Sequence, residues 1–326
     1  MAFSDHIFKD AYFDFEAVAM ATFHYQYQHV AIYRSFCELM GKHPESVTAI
    51  DEIPFLPISF FKSHSVLSDE ILATVVFESS TTTSATPSKH FVAVENIYQK
   101  SFVRGFEQQY GEVSNYAVLG LLPSYLERGN SSLVYMVNDF IEKSSYAESA
   151  FFMHDFERLK VVLDSLMERK IPVLLIGVTY ALLDFATFYN KPLTNVIVME
   201  TGGMKGKREE LTKMEVHSLL KSDFQVEKIH AEYGMTELLS QAYSKGDGLF
   251  QTPPWMRVLI RDSYAPNFYL EKNRTGGINV IDLANYYSCS FVETSDMGKL
   301  TENGFFEIVG RMETAEIRGC NLMYEQ

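Results

Sequence analysis

The chain has 326 residues, 47% hydrophobic and 21% charged, which describes a globular protein with one large core or two abutting subdomains. A formal net charge of −14 excludes a broad nucleic-acid-binding face, since phosphate backbones require net positive charge there; local cations can still serve one small polyphosphate. The three cysteines, Cys37, Cys289 and Cys320, follow no zinc-ligand spacing, and an odd, sparse set fits a reducing compartment better than a disulfide framework.

The first ten residues mix Asp, His and Lys with apolar residues and lack the basic start and apolar run of a signal peptide. Residues 13–40 predict an aromatic-rich helix, stopped by Gly41 and Pro44. Residues 53–57, Ile-Pro-Phe-Leu-Pro, predict an extended connector, because proline sustains neither a helix nor a central strand. A strand over 73–77 leads into a Ser/Thr loop reaching Ser88. Helix 94–110, strand 116–121, helix 131–142 and helix 155–169 follow. The most apolar stretch, 171–189, is interrupted by Pro172, Gly177 and Asp184, so strand 173–176 and helix 180–188 are expected there rather than a membrane span. Strand 195–200 precedes loop 201–207, and strand 226–232 precedes a Tyr-Gly turn. The expected location is cytoplasmic, with no integral membrane association. Strands alternating with helices indicate an α/β fold with a mostly parallel, helix-covered sheet over 1–237. Short β-like runs at 256–261, 277–282, 288–293 and 305–309 indicate a smaller antiparallel β-rich subdomain over 238–326.

Four segments carry chemistry. Ser79, Ser80, Thr81, Thr82, Thr83 and Ser84 follow a strand, supply hydroxyl donors for phosphate oxygens, and are followed by the point charge of Lys89. Read alone, such a run is equally a solvated polar loop, and it is not a Walker A loop. Gly202 and Gly203 also follow a strand, where they allow close approach of the backbone to a flat ligand, or simply make a tight turn. Tyr233-Gly234-Met235-Thr236-Glu237 presents a hydroxyl for phosphate beside a carboxylate for Mg²⁺, or else starts a helix with Thr236 as cap. Asp296 can accept from two ribose hydroxyls or sit in a plain turn, and Gly310-Arg311 lies just beyond it.

In this order the four segments resemble the adenylate-forming superfamily of acyl-CoA synthetases, adenylation domains and luciferases. The resemblance spans about residues 75–320 and includes a full match to Tyr-Gly-x-Thr-Glu. Within the superfamily the chain looks like the acyl-protein synthetases of the LuxE type. That likeness rests on Thr86-Pro87-Ser88-Lys89-His90, on the run from Leu122 to Ser132, and on a short C-terminus. Only six residues follow Cys320, so the resemblance implies that the mobile C-terminal domain with its catalytic lysine is lacking. Thr81 and Ser84 stand where the family's phosphate loop has glycines, and Glu313 stands where the hinge has Asp or Lys.

The resemblance implies ATP-dependent conversion of a carboxylic acid, a fatty acid being the expected one, to acyl-AMP. Lys89 and the Ser/Thr loop would meet the β- and γ-phosphates, Thr236 the α-phosphate, and Glu237 the Mg²⁺. Asp296 and Arg311 would hold the ribose, while Tyr233, Gly234, Gly202 and Gly203 would frame adenine. It further implies transfer of the acyl group to a thiol. In the LuxE type that thiol is the chain's own cysteine, by position Cys320, from which the acyl group passes to an acyl-CoA reductase. CoA or an acyl carrier protein is the alternative acceptor, and a degenerate nucleotide-binding protein is the non-enzymatic alternative. Cys37 and Cys289 are expected in the core.

Overall fold

The computed structural model describes residues 7–8, 13–80, 86–123, 127, 129–202 and 211–312. Near the N-terminus lie α1 (Phe15–His29) and α2 (Ala31–Leu39). The single helix expected over 13–40 is divided at Val30, whose φ of −111° and ψ of 93° are extended. Asp14 starts α1 by accepting from the Ala17 N–H at 3.0 Å. Buried Gln26 then fixes the helix to the C-terminal half of the chain. Its Nε2 donates to the carbonyls of Asn285 and Tyr286, and its Oε1 accepts from the Ser290 N–H at 3.0 Å.

The connector forms β1 (Leu56–Pro57), and a hairpin follows from β2 (Val75–Glu78) and β3 (Lys89–Val92). Next come α3 (Glu95–Tyr110), β4 (Ala117–Leu121), α4 (Ser132–Lys143), β5 (Ala150–Phe151), α5 (Phe156–Glu168) and β6 (Val173–Gly177). They are followed by α6 (Thr179–Tyr189), β7 (Val196–Glu200), α7 (Lys213–Phe224) and β8 (His230–Tyr233). The last strands are β9 (Ala242–Ser244), β10 (Leu249–Gln251), β11 (Met256–Arg261), β12 (Gly276–Asp282), β13 (Phe291–Leu300) and β14 (Phe306–Arg311).

One sheet runs β11-β12-β13-β14-β10-β9-β8-β7-β6-β4-β5, with β1 added beside β13. The pairings from β8 through β7, β6 and β4 to β5 are parallel, and those from β8 to β11 are antiparallel. This is the expected α/β class, with an antiparallel C-terminal region. Parallel strands are covered on both faces, which explains why β6, Val-Leu-Leu-Ile-Gly, is buried throughout. Its side chains alternate between two cores. Leu174 and Ile176 join Phe102, Phe106 and Phe140, while Val173 and Leu175 join Leu159, Leu163, Phe185 and Leu220.

Two features depart from the pattern reading. α7 carries no strong apolar stripe and was not expected; a capping box between Thr212 and Glu215 starts it. β13 extends well beyond the apolar run at 288–293, because Thr294 and Asp296 keep the inward alternation although they are polar, with a register shift between Met297 and Gly298. Cys37 and Cys289 are fully buried, as expected. Burial pushes the Cys37 thiol up to about 12 and the Cys289 thiol higher still, so both are inert packing groups. Among the described residues no helix is long and apolar enough to cross a membrane.

Trp255 ties three parts of the chain together. It is 1% exposed, its Nε1 sits 3.0 Å from Ser101 Oγ on α3 and 3.1 Å from Ser240 Oγ, and its ring meets Phe8 edge-on at 4.9 Å. Trp255→Ala should lower stability by about 3–5 kcal/mol, read as a fall in the urea midpoint at unchanged slope. A loss below about 1 kcal/mol would show that the ring is not part of the cooperative core.

Candidate active site

In a parallel sheet, ligands bind beyond the carboxyl ends of the strands. Here that edge gathers the ends of β7 and β8, the exit of the β2–β3 loop, and the paired Asp296 and Arg311 of β13 and β14. Asp296 is the most completely positioned side chain of the group. Tyr233 donates its hydroxyl to Asp296 Oδ2 at 2.9 Å, Arg311 Nε donates to Oδ1 at 3.1 Å, and the Asp296 N–H is held by Thr294 Oγ1 at 3.1 Å. Burial, followed by the Asp296 charge, drives the Tyr233 phenol well above its ordinary value, so it remains a donor. Thr294 is anchored in turn on the Ile278 carbonyl.

Residues 233–237 form a turn rather than a helix start, with the Leu238 N–H donating to the Met235 carbonyl at 3.1 Å. Glu237 is 5% exposed. Burial raises its carboxyl, and the Ser88 hydroxyl, Arg311 and Lys62 act in the opposite direction. The Thr236 carbonyl lies 2.8 Å from His90 Nδ1, and His90 Nε2 faces Asn285 Oδ1 at 2.9 Å. Asn285 Nδ2 donates to the Glu237 carbonyl at 2.9 Å, so His90 and Asn285 together hold the backbone of the turn from behind. Burial lowers His90 to about 4, while the two acceptor oxygens facing its ring nitrogens, the Thr236 carbonyl and Asn285 Oδ1, act in the opposite direction.

The Ser/Thr loop has a closed neck. The Ser79 N–H donates to the Ser88 carbonyl at 3.0 Å and Ser79 Oγ accepts from the Ser88 N–H at 2.9 Å. Ser80 lies just inside it, whereas Thr81, Thr82, Thr83 and Ser84 fall outside the described residues. Lys89 is not brought into the group around Glu237. Successive strand residues face opposite ways, so with His90 turned inward to Thr236, the Lys89 ammonium lies on the other face, 3.3 Å from Glu78. Gly202 takes φ +78°, the left-handed region that favours glycine, while Gly203 falls outside the described residues. Cys320 and the hinge residue Glu313 also lie outside them. At Gly234 an added Cβ would stand 2.3 Å from Glu232 Oε1, so a larger residue there would displace the Glu232 carboxyl.

Sequence reasoning passed over several residues of this edge: His90 and Asn285 behind the turn, and Glu200 and Glu232 at the ends of β7 and β8. An acid closing an apolar strand run, as in Val-Ile-Val-Met-Glu, was the available signal. Glu200 is 3% exposed and fully engaged. Its Oε2 accepts from the Gly202 N–H at 2.8 Å and Thr179 Oγ1 at 3.0 Å, and its Oε1 lies 2.9 Å from Lys213 Nζ and 3.5 Å from His217 Nε2. One carboxylate thus binds both the residue that leaves β7 and the first turn of α7. Among the described residues no group of three or more His, Cys, Asp or Glu side chains is placed to hold a metal by itself.

Burial by itself would raise Glu200, but His217, Lys213 and the Gly202 N–H outweigh it and leave the carboxyl at about 2. A folded-state value below the unfolded one gives stability that is complete above about pH 4.5 and is lost as pH falls through about 2. Glu200→Gln should therefore destabilise by about 2–3 kcal/mol at pH 7, with the gap from wild type closing as pH drops from about 4.5 toward 2. Urea unfolding across that range checks it; a gap independent of pH would contradict the assignment.

A family model described as acyl-protein synthetase, LuxE, matches residues 9–326. No curated protein matches significantly. Among solved structures, an open conformation of 2-hydroxyisobutyryl-CoA ligase in complex with 2-HIB-AMP and CoA is similar at TM-score 0.64 and 11% identity, covering 91% of this chain and 74% of that one. ATP-bound MatB from Rhodopseudomonas palustris is similar at TM-score 0.54 and 15% identity, covering 72% of this chain. The match takes in 47% of MatB, about half its length. At such identities the likeness to these structures is one of fold. The family model, by contrast, covers nearly the whole chain, and the chain belongs to the LuxE acyl-protein synthetase family.

Proposed function

We propose that this protein uses ATP to activate a carboxylic acid as acyl-AMP and then passes the acyl group to a thiol. The observation that carries the reading is the Tyr233–Asp296–Arg311 chain standing at the same sheet edge as the buried Glu237. With each oxygen of Asp296 already oriented by one donor, its remaining lone pairs suit a pair of ribose hydroxyls. Tyr233 and Gly202 would frame the base. The two structural relatives described above are nucleotide or acyl-adenylate complexes, ATP in one and 2-HIB-AMP in the other, which supports an adenosine site on this fold.

A carboxylate is already ionised at neutral pH and needs no general base. Its oxygen attacks the α-phosphorus, the bond from that phosphorus to the bridging oxygen breaks, and pyrophosphate leaves with the electron pair. The obstacle is repulsion between the acid and the triphosphate, which positioned donors and positive charge must offset. Thr236 is the donor proposed for the α-phosphate, held in place through its own carbonyl by His90. The Ser/Thr loop is proposed for the outer phosphates; Lys89 would have to leave Glu78 to join it. Glu237, a buried carboxyl raised by desolvation, fits a divalent cation that would favour its ionised form, and Mg²⁺ bound there would neutralise phosphate charge. In the second step a thiolate attacks the acyl carbonyl and AMP leaves. Cys320 is the proposed thiol, with CoA or a carrier protein as the competing acceptor and a reductase as the onward partner.

Acid-dependent exchange of labelled pyrophosphate into ATP tests the reading. Wild-type protein should exchange with at least one acid of a broad panel, and Asp296→Ala should lower kcat/KM for ATP about 100-fold. Cys320→Ser should keep exchange and lose the acyl mass adduct. Adduct formation unchanged in that variant would move the thiol elsewhere, and wild-type protein that binds ATP but exchanges with no acid would overturn the adenylation.

A further inference from the structure

The 233–237 turn carries the proposed α-phosphate donor and metal ligand, yet what fixes it comes from outside the motif. The Thr236 carbonyl faces His90 Nδ1 at 2.8 Å, and the Glu237 carbonyl accepts from Asn285 Nδ2 at 2.9 Å. Just beyond, the N–H groups of Leu239 and Ser240 donate to Asp282 Oδ2 at 2.7 and 3.0 Å. Residues 236–240 are thus gripped along the backbone by three buried side chains, one from β3 and two from the segment that ends β12.

The grip is itself braced. Asn285 Nδ2 also donates to the Cys289 carbonyl at 2.9 Å, so the amide stands only one way round, with Oδ1 toward His90 Nε2 at 2.9 Å. The Asn285 carbonyl accepts from Gln26 Nε2 at 3.0 Å, which brings α1 in behind it. The Phe61 ring meets the His90 ring edge-on at 5.7 Å and holds its plane. Imidazole suits the gap because its two nitrogens lie on separate edges of one rigid ring. It donates to one of the two oxygens when neutral and to both with a second proton. Apolar side chains would fill the same space with no net loss of stability, so what a buried polar chain adds is a fixed geometry.

His90 also lies two residues past Ser88, whose backbone closes the neck of the Ser/Thr loop. One ring therefore sets the exit of the loop proposed for the outer phosphates against the turn proposed for the α-phosphate.

We propose that His90 and Asn285 are positioning residues for acyl-adenylate formation. Neither touches a substrate. They act through two consecutive backbone carbonyls and so set where the Thr236 hydroxyl and the Glu237 carboxyl stand when the α-phosphorus is attacked. This rests on the adenylation reading above. Charge developing on the α-phosphate is stabilised by donors fixed in advance, and a shift of about 1 Å in such a group costs about 100-fold. The adenosine end is held separately, through Tyr233, Asp296 and Arg311, so loss of the brace slows the chemical step while ATP still binds.

The test is pyrophosphate exchange by the full chain with its best acid, beside ATP affinity measured by calorimetry without acid. His90→Phe keeps ring volume against Phe61 and removes both polar contacts. It should lower kcat for exchange about 30- to 100-fold and change the Kd for ATP by less than about threefold. His90→Gln, which can return one donor to the Thr236 carbonyl, should recover about fivefold or more of that loss. Asn285→Ala should act on kcat in the same way, and combined with His90→Phe it should cost little more than either change alone, because the pair works as one unit. Exchange by His90→Phe within about threefold of wild type, ATP affinity lost in step with kcat, no recovery in His90→Gln, or effects of His90→Phe and Asn285→Ala that multiply would each overturn the proposal and leave the adenylation reading standing. Failure of both His90 variants to fold overturns it too, since His90 would then serve the core rather than the site. Absence of exchange by wild-type protein with every acid overturns both readings.

Discussion

Asp296 is the point on which the architecture turns. β8 closes the parallel part of the sheet, and two short strands, β9 and β10, separate it from β14 and β13 in sheet order. The Tyr233 hydroxyl nevertheless reaches Asp296, and Arg311 grips the same carboxylate from the adjoining strand. This closure is possible because Tyr233, Phe250 and Phe306 pack ring against ring beneath it, with centroids 5.4–6.0 Å apart. The aromatic cluster fixes how far the antiparallel strands curl toward the parallel ones, and the carboxylate marks where they meet. A hydrogen-bonded anion with lone pairs still open is thereby held at the edge where ligands enter an α/β sheet.

The acids along this edge differ through their surroundings rather than their residue type. Glu200 is held by a lysine, a hydroxyl and a backbone N–H, with His217 Nε2 3.5 Å away, and it acts as a structural clamp. Asp282 is likewise held, accepting from the N–H groups of Leu239, Ser240 and Ala284 and from the Ser240 hydroxyl, so it fixes the segment after the 233–237 turn. Burial raises the carboxyls of Glu237 and Glu232, with the Ser88 hydroxyl and Arg311 opposing it at Glu237 and Lys213 opposing it at Glu232.

The α/β class and most elements from 94 to 200 were legible because parallel strands here are continuous apolar runs separated by helical periodicity, as in Val173–Gly177. Tyr233, Asp296 and Arg311 were singled out through spaced short motifs, and the structure joins these three by hydrogen bonds. The direction of Lys89 was not legible, because its alternation with His90 on β3 is a property of the hairpin pairing rather than of the local motif. The roles of His90 and Asn285 were hidden for a related reason. Each acts through a partner at a sequence separation of 48 to 195, such as His90 with Asn285 and Asn285 with Glu237, and no local pattern records such pairs.

The claim that a single adenine nucleotide site is built around Asp296 is tested most directly by a crystal structure with a non-hydrolysable ATP analogue. The account predicts ribose hydroxyls within hydrogen-bonding distance of Asp296, with the phosphates running past Thr236 toward Ser88 and Glu237. A well-ordered nucleotide bound elsewhere, with Asp296 contacting only Tyr233 and Arg311, would contradict it.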